Sequence, residues 1–116
     1  MSPNNLTLNL VEGSVSFKFQ AESARDLQNA IAQLMTRLKA SSVKTPGVKA
    51  TPQPSMEYRV AGDIFLEVFC NPNIWATPFA AKVLITVRDA NIRLTTEAEL
   101  TRLIEDLDRY LEQISP

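Results

Sequence analysis

TEAELTRLIEDLDRYLEQI, residues 96–114, decides the fold. Leu100, Leu103, Ile104, Leu107, Tyr110, Leu111 and Ile114 recur at the three- and four-residue steps that place side chains on one face of an α-helix. Glu99, Arg102, Glu105, Asp106, Arg109 and Glu112 fill the opposite face. Thr96-Glu-Ala-Glu99 has the spacing of a capping box, so the helix is expected to open there. A helix divided this sharply must lay its apolar side on another element, and the segments upstream of it read as strands.

Those strands come in hairpins. In residues 6–19, LTLNLVEGSVSFKF, Leu6, Leu8 and Leu10 alternate with polar residues, and Val15, Phe17 and Phe19 do the same. Glu12-Gly13 supplies the turn, because glycine accepts the positive φ of a tight hairpin. Residues 56–70, MEYRVAGDIFLEVFC, repeat the pattern around Gly62-Asp63. Ile64, Leu66, Val68 and Cys70 make one apolar face, while Phe65, Glu67 and Phe69 point the other way. A third hairpin joins Val83, Ile85 and Val87 to Ile92 and Leu94 through a turn near residues 89–91.

A second helix is predicted at about residues 23–40. Ser23-Ala-Arg-Asp26 fits a capping box, and Leu27, Ile31, Leu34 and Leu38 follow at helical spacing. Pro46, Gly47, Pro52 and Pro54 exclude a helix or central strand from residues 41–55, which are expected to be a flexible loop within the domain. The prediction is one α+β domain over residues 1–116. Its antiparallel sheet has about six strands in the order ββα-ββ-ββα, with both helices packed on one face. The hairpin-then-helix order occurs twice, at 6–40 and 83–115, which is either an internal duplication or the common appearance of such units.

Composition limits the chemistry. The 116 residues carry a net charge of −1, and there is no histidine. A His-dependent triad, a His general base and His metal ligands are therefore excluded. One cysteine and no histidine leave no structural zinc site within one chain. No Walker, Rossmann, zinc-ribbon or RNA-recognition motif is present. Neither a catalytic residue nor a metal or cofactor site is expected, and the chain is expected not to be an enzyme. Residues 1–55 hold six Lys/Arg against three Asp/Glu, and residues 56–116 hold six against ten. This charge is too scattered to favour nucleic acid or a membrane surface. The N-terminus lacks the basic and apolar regions of a signal peptide, and no run reaches the ~18 apolar residues of a membrane span. A soluble cytoplasmic protein is the expectation.

The candidate contacts are surfaces. Phe65 and Phe69 flank Glu67 on the strand face opposite the apolar core face, and Leu84 can join them from a neighbouring strand. Aromatics placed so suggest an interface, unless loop 41–55 or the Trp75 segment folds over them. Ile74, Trp75 and Phe79 lie in the irregular NPNIWATPF segment, where Trp75 is read as a plug at the edge of the core or as a binding contact. Lys44 and Lys49 could reach an acidic partner from the loop. The acidic residues Glu97, Glu99, Glu105, Asp106, Asp108 and Glu112 read as a solvated, salt-bridged helix face, and Cys70 as a buried inert thiol. The expected function is non-enzymatic protein interaction, assembly or regulation, with a homodimer formed through the exposed sheet face. The alternative is a small-ligand-binding regulatory domain with an apolar pocket near Trp75 and Tyr58; nucleic-acid binding ranks below both.

Overall fold

The computed structural model of the chain describes residues 5–42 and 52–114. Within them, β1 (Asn5–Asn9), β2 (Ser14–Lys18) and α1 (Ala21–Ser42) come first. Next come β3 (Met56–Val60), β4 (Phe65–Cys70), β5 (Lys82–Arg88), β6 (Arg93–Glu99) and α2 (Leu100–Ile114). Two short 3-10 turns, Pro72–Ile74 and Pro78–Ala80, separate β4 from β5. The fold is α+β in the order ββα-ββ-ββα, with six described strands.

The six strands divide into two antiparallel sheets, β1-β2 and β3-β4-β5-β6. Side-chain alternation identifies strands and their faces, but it does not say which edges meet. Among the described residues, one backbone bond, Val11 N–H to the Glu97 carbonyl at 3.2 Å, links the first hairpin to the edge strand β6. Gly13 takes φ +84° in the β1-β2 turn. The β5-β6 turn is closed by Asp89, whose Oδ1 accepts from the Asn91 and Ile92 N–H groups at 2.7 and 2.8 Å. These bonds hold the Asp89 carboxyl below its usual pKa.

Both helices pack over one face of the larger sheet. Leu66, Val68 and Cys70 from β4 meet Val83, Ile85 and Val87 from β5 in the core, with Met56 and Ala98 from the flanking strands. Above them lie Ala24, Leu27, Ile31, Leu34 and Leu38 of α1 and Leu100, Leu103, Leu107 and Tyr110 of α2. Burying each leucine contributes roughly 2 kcal/mol. The first hairpin adds Leu6, Leu8, Phe17 and Phe19 to the same core. Phe19 packs edge-on against Phe17 and Tyr110, and the Tyr110 hydroxyl donates to the Phe19 carbonyl. Burial pushes the Tyr110 pKa up.

Neither expected capping box forms. Residues 96–99 belong to β6, where Thr96 pairs with Ile85 and Ala98 with Val83. α2 starts directly from the strand at Leu100, whose N–H donates to the Ala81 carbonyl at 3.0 Å. The ladder satisfies the backbone along β6 and also buries Ala98, whereas a cap would satisfy only terminal donors. Helix α1 starts two residues before Ser23, with the Ala24 N–H bonded to the Gln20 carbonyl at 3.0 Å. The Ser23 carbonyl instead accepts from the Tyr58 hydroxyl of β3 at 2.9 Å. At its other end, the Ser41 hydroxyl donates to the Pro72 carbonyl at 2.7 Å and ties α1 to the first 3-10 turn.

The acidic residues expected on a solvated face of α2 are divided between two elements and are not all solvated. Glu97 and Glu99 are on β6, not on the helix. Asp106 is not solvated: its side chain is buried against β1. Its oxygens accept from the Asn9 backbone N–H at 2.7 Å and from the Asn9 side-chain amide at 2.8 Å. Arg109, one turn on, lies 3.6 Å away and supplies the opposite charge. Charge-assisted bonds of this kind are the stronger class, and here they clasp the first hairpin to α2. The hairpin-helix units therefore recur in order, but the first hairpin is joined by side chains and one backbone bond to β6 while the third is joined by a β ladder.

Candidate outer face of the four-stranded sheet

The register of β3-β6 sorts the outward side chains into three rows that run across the strands. Glu57, Phe69, Leu84 and Glu97 form the first. Arg59, Glu67, Thr86 and Thr95 form the middle row. Phe65, Arg88 and Arg93 form the third. Successive rows are two residues, about 7 Å, apart. One end of the face is thus acidic and apolar, the centre is hydroxylic with an ion pair, and the other end is basic and aromatic.

Leu84 remains 43% exposed, while Phe65, Glu67 and Phe69 are half-buried by their neighbours in the sheet. The Arg88 guanidinium lies over the Phe65 ring, 4.4 Å from its centroid. Arg59 binds Glu67 directly and approaches Glu57 to 4.0 Å. The Glu67 contact and charge raise the Arg59 pKa further. Thr86 is buried on this face, with its hydroxyl 3.5 Å from that of Thr95. The polar groups at the centre of the face are thus paired with one another, and its charged ends are exposed.

The remaining candidates lie elsewhere. Ile74 and Phe79 project from the two 3-10 turns, 66% and 79% exposed, at the end of the sheet nearest the first row. Trp75 packs against the core instead. Its buried Nε1–H lacks a well-formed hydrogen bond, and the Cys70 thiol is its polar neighbour. Burial pushes that thiol's pKa up to about 11, with Trp75 opposing the rise. Cys70 is buried on the inner face. Lys44, Lys49 and most of the expected flexible loop lie outside the described residues. Charge patterning along β5 and β6 could have identified Arg88, Arg93 and Glu97 as members of this face, but only once the register was known.

Two clefts are present on other surfaces. One, about 400 Å³, lies between the β2-α1 junction and the β3-β4 turn, with Lys18, Phe19, Val60, Asp63 and Ile64 in its wall. The other, about 260 Å³, is a shallow groove between the helices, bounded by Ile31, Met35, Ile104 and Leu107. Neither is lined by Trp75 or Tyr58. Tyr58 faces inward, and its pKa is raised first by burial and then by the charge of Asp26. Among the described residues, no group of three or more acidic or cysteine side chains is placed to hold a metal ion, and no helix is long and apolar enough to cross a membrane. Comparison with known protein families, curated proteins and solved structures finds no match to this chain.

Proposed function

We propose that the chain is a small non-enzymatic interaction or assembly domain that self-associates through the outer face of β3-β6. The observation that carries this reading is that the sheet face opposite the helices sets Phe69 beside Leu84 and carries Phe65 two rows away. A solvated sheet face ordinarily alternates to polar residues. Here apolar side chains occupy adjacent strands and are flanked by charges of both signs, the composition of an interface with a polar rim.

Dilution of isotope-labelled protein tests the reading. Amide resonances of Phe65, Glu67, Phe69, Leu84 and Thr86 are expected to move together as concentration falls. Invariant resonances on this face, or shifts confined to the helices, would overturn it.

A further inference from the structure

The three rows also say how a second copy would fit. Two sheets packed face to face as a closed pair are related by a two-fold axis in the plane between them. For aligned packing that axis runs along the strands or across them, and the charged pair at the β6 edge distinguishes the two. With the axis along the strands, the first row meets the first row and β3 opposes β6, which sets Glu57 against Glu97 of the second copy. With the axis across the strands, through the middle row, each strand opposes its own copy and the first row meets the third. Glu97 then faces Arg93, Leu84 lies under Arg88, and Phe69 meets Phe65. The middle row meets itself, so Arg59 faces Arg59 and Glu67 faces Glu67, each neutralised by the opposite charge bound beside it in its own chain.

We propose that the outer face docks on a second copy of this chain across a two-fold axis running along the Glu67–Thr86–Thr95 row, pairing Glu97 of each copy with Arg93 of the other. This rests on the outer-face reading above and adds the partner and its orientation. Arg93 and Glu97 are both exposed, and among the described residues neither forms an ion pair within its own chain. Both charges are thus available across the axis. Four strands of five to seven residues offer roughly 400 Å² of projected area per copy at about 3.3 Å rise and 4.8 Å spacing. That size belongs to weak, reversible association, so the dimer is concentration-dependent.

The orientation is tested by charge reversal and mixing, read by sedimentation equilibrium. Arg93→Glu sets two carboxylates against each other across the axis, and Glu97→Arg sets two guanidinium groups against each other. Each variant alone should therefore dimerise about tenfold or more weakly than wild type. Mixed one to one, the two variants can pair opposite charges, and the dimer should return. The double variant R93E/E97R should also dimerise alone. An equimolar mixture that stays monomeric overturns the orientation. So does an E97R variant that associates more tightly than wild type, because that is the result expected when Glu57 is its neighbour. If the mixture fails while Phe65→Glu/Phe69→Glu still abolishes wild-type association, the orientation falls and the outer-face reading stands. If wild type does not associate at all, both fall.

Discussion

Strand β4 carries apolar residues on both faces, three of three on one and two of three on the other, in opposite surroundings. Leu66, Val68 and Cys70 lie under two helices and are almost wholly buried. Phe65 and Phe69 lie one residue away on the side without helices, separated by an ion-paired Glu67. The first face explains why the chain folds. Folding gives no comparable reason for phenylalanine on the second, since a charged or hydroxylic residue would serve there as well. That difference is the ground on which we propose the outer face as the functional surface.

Breaking the inner face should have the largest effect. Leu66→Ala removes a fully buried side chain from the centre of the sheet and is expected to lower unfolding free energy by about 3 kcal/mol. Urea denaturation measures this, and a loss under about 1 kcal/mol would mean that the helices do not close tightly over β4.

The next effect falls on the clasp that completes the inner core. Asp106→Ala leaves the Asn9 N–H and amide without their acceptor. The expected cost is about 2 kcal/mol, accompanied by faster hydrogen exchange at Asn9. Unchanged stability and exchange would show that the first hairpin is held by its apolar residues alone.

Cys70 sharpens the comparison through pH. Burial raises its pKa from 9.0 to about 11 in the folded chain, so the folded state keeps the proton longer than the unfolded state does. The resulting stabilisation is fully present below about pH 9 and is lost as pH rises through about 11. Wild type should therefore decline more steeply than Cys70→Ala over that window in urea titrations. Tyr58 and Tyr110 contribute equally to both proteins, so parallel curves would place the thiol in a wetter setting. At about pH 8 the native thiol should also resist a disulfide reagent that modifies the unfolded chain rapidly.

Much of this contrast is legible in the sequence. Period-two alternation in residues 64–70 separates Leu66 and Val68 from Phe65 and Phe69, and the helical stripe ending at Ile114 requires a sheet beneath it. What the sequence hides is long-range. Residues 96–99 satisfy a local capping pattern, but their partners are the distant Val83 and Ile85, whose ladder extends the strand. Asp106 looks like one more charge on a solvated helix, because its partner Asn9 is 97 residues away in the chain. The division into two sheets depends on edge pairing, which alternation does not encode. The rows of the outer face are hidden for the same reason: Glu97 and Arg93 acquire meaning only when β6 is aligned with β5.

The smallest effect on stability is expected on the outer face, and there the same substitution should have its largest effect on association. Phe65→Glu/Phe69→Glu should change unfolding free energy by no more than about 1 kcal/mol, since both positions are only half-buried. Sedimentation velocity across a wide concentration range compares this variant with wild type most directly. The wild-type mass is expected to rise above the 12.9 kDa of one chain as concentration increases, while the variant stays at that mass with a near-native unfolding midpoint. A wild type that stays at one-chain mass throughout, or a variant that tracks a self-associating wild type at every concentration, would contradict that expectation.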